Sequence, residues 1–510
     1  MAIDVPGRRA EAVSAARADV AWWPWALAVI VLLAAGLRFY GLARQGLWYD
    51  ESRTGWMMRT PLDQVLAGVP RTESTPPLYY VVLWGWVRVF GDTRAGLRSL
   101  SAVAGVLTVP FAFAAARSLA GRRVALIAAL LVAVNPLLIW YSQEARAYSL
   151  HVLLSTVTLW LFARAIEHPS RRRLVVWAIA AVAALWTHYF AAFLVVGEAV
   201  LLLRRAPRWT LWLGLGLAAA VAVAPLTVIA SDQAHHAGWI PAVPRLVRVE
   251  QIATSFVAGF RPPAGRVTVL VSCAIAAVAC ALALTRRASA ERRGVSVFAW
   301  IAGVALAVPL LLSLLDLDYL DGRNVLAAVI PLLVVLACGF AAPRGRPLGL
   351  ALAAGLTVIS LGLVVALWNE PRAQRSNWPA LAAALRRLPA PRVVELNGGN
   401  RSWAMPLAFE LRRTWWLQPG GARVREFDVV QTVPRRRPCG GRTWWGPACN
   451  ISGPLRAIPR HPGFHRVGRF TAGGFVITRY RAARPMRIEP PRGRRGRHLL
   501  VTPRREPVIE

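Results

Sequence analysis

Residues 22–52 read WWPWALAVIVLLAAGLRFYGLARQGLWYDES. From Trp22 to about Tyr40 the chain is apolar and long enough to cross a bilayer as a helix, which takes roughly 17–25 residues. The run lacks a small-residue cleavage site, so it reads as a retained helix and not a signal peptide. Just beyond it lies an adjacent acid pair, Asp50 and Glu51. An acid pair at the lip of a membrane helix is costly unless it does something. These residues therefore predict a polytopic α-helical membrane protein with an active site at the water–lipid boundary.

Composition agrees. The chain has 510 residues, 56% of them hydrophobic, and a mean hydropathy of +0.44. Sixty-one basic residues against twenty-five acidic ones give a net charge of +36, and every basic residue is Arg. In a soluble chain this charge would suggest a nucleic-acid partner. Here the arginines cluster between apolar runs, where they orient helices, so nucleic acid is excluded. The Ala, Arg, Gly, Pro, Val and Trp bias reads as a GC-rich bacterial genome.

Further apolar runs lie at 97–116, 123–140, 149–166, 174–188, 189–203, 209–230, 265–285, 295–315, 323–341 and 347–368. Placing the Arg clusters inside gives about eleven transmembrane helices in the cell membrane, N-terminus cytoplasmic and C-terminus extracytoplasmic. The segment 174–203 must turn back near His188-Tyr189 to keep this parity. Pro77 to Phe90 is apolar but short; as a spanning helix it would move every later loop to the other side and leave most Arg clusters outside, so it reads as an interfacial helix anchored by Tyr79, Tyr80, Trp84 and Trp86. Four regions are predicted: a basic N-terminus at 1–21, a membrane domain at 22–369, an extracytoplasmic α+β domain at 370–482 and a disordered basic tail at 483–510. In the third region Ser376-Asn377-Trp378-Pro379 reads as a helix start, with the helix running to about Leu388. Arg392 to Leu396 and Gly474 to Tyr480 read as strands.

This threading carries several polar motifs to one outer face. Asp50 and Glu51 could act as a general base, or be an ordinary interfacial pair. Arg146 and Arg323 present guanidinium forks suited to phosphate, or snorkel and pair with Glu144 and Asp321. His188 could hold a metal, donate to a phosphate, or pack. His235-His236 shows no ligand-like partner. Trp48 and Tyr49 are placed to stack on a sugar ring. Cys273, Cys280 and Cys338 read as packing residues. Cys439 and Cys449 are disulfide candidates if their region faces an oxidising compartment.

Trp48-Tyr49-Asp50-Glu51-Ser52, Pro76-Pro77-Leu78-Tyr79-Tyr80, Trp140-Tyr141-Ser142-Gln143-Glu144-Ala145-Arg146-Ala147-Tyr148 and Thr187-His188-Tyr189-Phe190 together resemble the GT-C membrane glycosyltransferases. The bacterial branch related to protein O-mannosyltransferases and aminoarabinose transferases is the most similar. The resemblance covers about 40–345. It implies a polyprenyl-phosphate sugar donor, an acceptor hydroxyl on a glycan, lipid or protein, and interfacial helices at 51–67 and 77–90. It implies Asp50 as base beside Glu51, and Arg146, Arg323, Tyr148 and His188 around the donor phosphate. Trp48, Tyr49, Glu144, Tyr189 and Asp321 complete the set as sugar or acceptor contacts. No motif demands a cofactor, and a divalent metal stays open. Thr75 stands where relatives often carry His, and Asn324 follows Arg323 where Tyr is common. Two other readings compete: a transporter or flippase of lipid-linked sugars, and a non-catalytic component of an envelope-building complex.

Overall fold

The computed structural model describes residues 22–206, 209–259, 265–285, 289–343, 345–370, 375–386, 390–397, 404–412, 414–418, 420–432, 462–489 and 498–501. Helices dominate: α1 (Trp23–Phe39), α2 (Tyr49–Met57), α3 (Leu62–Thr72), α4 (Leu78–Phe90), α5 (Arg94–Ala120), α6 (Arg122–Val134), α7 (Pro136–Ser142), α8 (Tyr148–Glu167) and α9 (Arg171–Thr187). They continue with α10 (Ala191–Arg205), α11 (Trp209–Gln233), α12 (Arg245–Ala258), α13 (Gly265–Leu284), α14 (Ser289–Leu314), α15 (Val329–Phe340) and α16 (Arg346–Asn369). Among the described residues six helices are long and apolar enough to cross a membrane, or seven when the bent pair α6–α7 counts as one span. Shorter apolar helices occur at Trp23–Phe39, Leu78–Phe90 and Leu326–Phe340. The chain is a multi-pass membrane protein.

Local chemistry explains where helices break. The expected single run 123–140 bends by 56° between α6 and α7. Pro136 lacks an N–H and forces Asn135 out of the helical region. The Asn135 carboxamide oxygen then accepts from the backbone N–H groups of Leu137 (3.1 Å) and Leu138 (3.0 Å), restarting the helix. A helix break is present at His188-Tyr189: α9 ends at Thr187 and α10 begins at Ala191. The single interfacial helix expected at 51–67 is corrected: it is α2 and α3, separated by a turn that ends at Pro61.

The fold divides into two compact units. One comprises residues 1–40, 62–86 and 98–366, the other 41–61, 87–97 and 367–510. In the first, α6 and α15 form the centre. Nearly every side chain of α15 is buried, as expected of a helix apolar all round. α15 packs on α6, α13 and α14. Gly339 permits the α13 contact, because any Cβ there would collide with the Ala279 carbonyl. Gly339→Val is therefore expected to cost about 1–3 kcal/mol or more by overpacking. An unchanged Tm in detergent would refute this account of the contact.

The second unit contains a six-stranded mixed sheet of order β2-β6-β1-β3-β5-β4. Its strands are β1 (Arg392–Leu396), β2 (Thr414–Trp416), β3 (Ala422–Thr432), β4 (His465–Ala472), β5 (Phe475–Ile488) and β6 (His498–Val501). β1 and β3 are parallel, and the other pairings are antiparallel. α17 (Trp378–Arg386) and α18 (Ala404–Leu411) contribute to a core with Val394, Leu396, Val430 and Ile477. The Asn377 side chain caps α17 through the Ala380 N–H (3.1 Å).

Two expectations change here. A disordered tail from 483 does not describe residues 484–488, which extend β5, nor β6, which pairs with β1 and β2. Leu499 and Val501 are buried, and that burial holds this short segment in the sheet. The segment 41–61, assigned to the membrane domain, falls in the same unit as the sheet. There α2 packs on α18, with Gly55 so close to the Phe409 ring that a Cβ would crowd it. Cys439 and Cys449 lie outside the described residues.

Candidate active site

The sequence candidates fall in both units, and each group has its own geometry. In the unit of the sheet, Trp48 is the extended N-cap residue of α2, with φ −89° and ψ 178°. Asp50 and Glu51 occupy the first turn, where free backbone N–H groups favour acids. Glu51 is fully buried and folds back to accept from the Trp48 N–H (3.3 Å). The guanidinium of Arg375, itself buried, pairs with Glu51 and lies 5.9 Å from the Trp48 ring centroid. Arg375 was absent from the sequence candidates. Nothing local signals a pairing partner 324 residues away.

Asp50 differs from its neighbour. It is half-buried, and its backbone carbonyl accepts from the Thr54 hydroxyl (3.0 Å). Its carboxylate makes no hydrogen bond or ion pair among the described residues. Of the two acids, Glu51 is buried and ion-paired, and the Asp50 carboxylate makes no polar contact among the described residues. Tyr49 faces the Arg53 guanidinium at 5.9 Å.

In the helical unit a second cluster forms around Glu73. Arg146 pairs with Glu73, and both are almost wholly shielded from solvent. The Tyr80 hydroxyl donates to Glu73 (2.7 Å) and contacts the Thr75 hydroxyl (3.0 Å). His236 approaches the Glu73 backbone carbonyl through Nδ1 (2.9 Å). Gln233 donates to the carbonyls of Val69 (3.0 Å) and Thr75 (3.3 Å) and accepts from the Tyr189 hydroxyl (2.9 Å). Glu144 accepts from the Trp140 indole (3.1 Å). Glu73 escaped the sequence reading, although its position just before Ser74-Thr75-Pro76-Pro77 was a usable signal.

The third cluster surrounds Arg323. Its Nε donates to Asp321 (3.1 Å), and Nη1 reaches the Tyr148 hydroxyl (3.4 Å). The guanidinium lies 5.2 Å from the Trp239 ring centroid. Tyr148 sits beside His188, with centroids 6.1 Å apart. His188 stacks on His151 at 4.6 Å, a contact the sequence did not suggest. Both Arg146 and Arg323 bear electrostatically on His188. His188 thus lies within electrostatic reach of both arginines, each of which is ion-paired, Arg146 with Glu73 and Arg323 with Asp321. Among the described residues no group of three His, Cys, Asp or Glu side chains converges on a common point.

The loop carrying Asp321 and Arg323 is anchored by Arg248, which grips Asp318 with two hydrogen bonds of 2.6 Å. It also donates to the Leu320 carbonyl (2.8 Å). The Arg248 hydrogen bonds hold the Asp318 carboxyl below its ordinary value of 3.8, against the upward push of burial. The folded state therefore binds this proton less tightly than the unfolded state. The stabilisation is present above pH about 4 and is lost as pH falls through the lower folded value. Thermal stability should fall on acidification from pH 6 to 3, and Asp318→Asn should flatten that slope. An equal slope in wild type and variant would remove Asp318 as a contributor.

Comparison with known proteins adds to this geometry. Residues 74–230 match the family model described as dolichyl-phosphate-mannose-protein mannosyltransferase. No curated protein matches the chain. The fold is similar to that of ArnT from Cupriavidus metallidurans in its apo state, with a TM-score of 0.53 and 16% identity over 91% of this chain and 98% of that one. It is likewise similar to the same enzyme bound to undecaprenyl phosphate, with a TM-score of 0.53 and 14% identity over 89% of this chain and 97% of that one. A more distant likeness is to the oligosaccharyltransferase of Archaeoglobus fulgidus, with a TM-score of 0.43 and 13% identity over 71% of this chain and 55% of that one.

Proposed function

We propose that this chain, a membrane glycosyltransferase of the GT-C class related to the dolichyl-phosphate-mannose-protein mannosyltransferases, transfers a sugar such as mannose from a polyprenyl-phosphate donor to an acceptor hydroxyl on the outer face. The observation that carries the reading is the division of labour in the acid pair. Glu51 is held by Arg375, while the half-buried carboxylate of Asp50 makes no polar contact among the described residues. A base must be free to accept a proton.

In this reading Asp50 removes the proton from the acceptor hydroxyl. The resulting oxygen forms a bond to the anomeric carbon. The bond from that carbon to the phosphate oxygen breaks, its electron pair stays on the phosphate, and the anomeric centre inverts. Arg146 and Arg323 carry the charge that develops on the leaving polyprenyl phosphate, with Tyr148 and His188 as neutral partners. Trp48, Tyr49, Glu144, Tyr189 and Asp321 are assigned to sugar or acceptor contact. The shorter helices α1, α9, α10 and α15 are read as spans, which with the longer ones and the bent pair gives eleven. The Arg clusters then place the N-terminus in the cytoplasm and the C-terminal sheet outside.

Membranes containing the chain, supplied with radiolabelled polyprenyl-phosphate mannose, are expected to release polyprenyl phosphate and deposit label in an acceptor. Failure to consume any of a panel of polyprenyl-phosphate sugars would sink the proposal.

A further inference from the structure

The connection between α11 and α12 carries no residue assigned to the transfer reaction, yet it touches the surroundings of both arginines. At its start the buried Gln233 holds the Val69 and Thr75 carbonyls and the Tyr189 hydroxyl, and His236 meets the backbone carbonyl of Glu73. The chain then makes two 3-10 turns, Ala234–Ala237 and Ile240–Ala242. Ile240 and Val243 are buried, and Pro241 and Pro244 each fix one backbone angle. The segment is therefore pinned at several points along its length. Trp239 lies between the two turns and is half-buried. Its ring centroid stands 5.2 Å from the Arg323 guanidinium, within the range at which an aromatic face attracts a cation.

Two features make this contact more than a chance approach. First, Arg323 donates to Asp321 through Nε and to the Tyr148 hydroxyl through Nη1. Hydrogen bonds of a guanidinium lie in its plane, so they set the direction of the fork but oppose tilting of the plane only weakly. An aromatic ring against the cation restrains that tilt. Second, Arg248 rivets the two segments together. Its Nε donates to the Val243 carbonyl (2.9 Å), at the end of the connection that bears Trp239. Its Nη1 and Nη2 hold Asp318, and Nη1 also holds the Leu320 carbonyl, in the loop that bears Arg323. One buried arginine thus fixes the indole and the guanidinium in the same frame.

We propose that Trp239 is a positioning residue for Arg323, holding the guanidinium plane at the angle in which its fork meets the polyprenyl phosphate. The inference rests on the reading of Arg323 as a contact of that phosphate. Trp239 acts through the arginine, so its removal matters only while the arginine is present. A direct stack of the indole on lipid or sugar would behave differently, because its loss would cost the same with or without Arg323. Phe keeps an aromatic face for the cation. Leu keeps apolar bulk without that face.

The test uses the full chain purified in detergent and titrated with undecaprenyl phosphate, so that the identity of the sugar does not enter. Binding is read as the saturable rise of Tm. Trp239→Leu is expected to raise the lipid concentration needed for half that rise by about tenfold, within the range of a partly desolvated cation–π contact. Trp239→Phe should stay within about threefold of wild type. Arg323→Met should bind more weakly by itself, and adding Trp239→Leu should change it by less than about twofold. Trp239→Met supplies the same comparison if Leu lowers the lipid-free Tm. Unchanged binding in Trp239→Leu, with Arg323→Met impaired, would overturn this inference alone. An equal loss from Trp239→Leu with and without Arg323 would also overturn it and make the indole a direct contact. A wild type that ignores the lipid, or an Arg323→Met that binds it normally, would overturn the phosphate reading of Arg323 and this inference together.

Discussion

Asp50→Asn is expected to reduce sugar transfer by about 100- to 10,000-fold, the range that a positioned general base contributes. The carboxamide keeps the size of the side chain but accepts a proton poorly. The backbone carbonyl of residue 50, which accepts from Thr54, is untouched, and so are the α2 contacts to α18. Expression and Tm should therefore stay near wild type. Glu51→Gln should behave in the opposite way. It weakens a buried pair with Arg375 and should lower stability before it lowers chemistry. The pair of variants separates base from scaffold. Transfer that survives in Asp50→Asn would remove Asp50 as the base and turn attention to Glu51.

Arg146→Met is expected to cost about 3–5 kcal/mol of stability, because it leaves Glu73 buried without its cation. Denaturation of the purified chain in detergent would read this loss. Adding Glu73→Gln should restore much of it, since a neutral amide can still accept from Tyr80 and no charge remains buried. The double variant should nonetheless transfer sugar about 100- to 1,000-fold more slowly, if Arg146 also stabilises the departing phosphate. Full recovery of both stability and transfer would confine Arg146 to a structural role. Failure of Glu73→Gln to recover any stability would show that the ion pair is not what Arg146 supplies to the fold.

The sequence by itself determined most of the long apolar helices, the break between α9 and α10, the N-terminus of α17 and the strand β1. Hydrophobic length, Pro and Asn positions, and caps are local properties, so they can be read from neighbouring residues. The same locality explains why Asp50, Arg146, His188 and Arg323 could be singled out: each sits in a short polar motif at the end of an apolar run. The partners of those residues lay beyond such a reading. Arg146 meets Glu73 across 73 residues, Glu51 meets Arg375 across 324, and Arg38 reaches Ala133 across 95. A helix-end break such as that at Pro61 or Pro136 is written in the chain, but the cation that satisfies the stranded carbonyls is chosen by packing. The same holds for β6, a four-residue apolar stretch inside an Arg-rich tail, too short to read as a strand on its own. It is held by register against β1 and β2 and by the burial of Leu499 and Val501. Only the tertiary structure decided which acid is ion-paired and which makes no polar contact among the described residues. An ion pair needs two groups in contact, and contact between distant residues is a property of the fold.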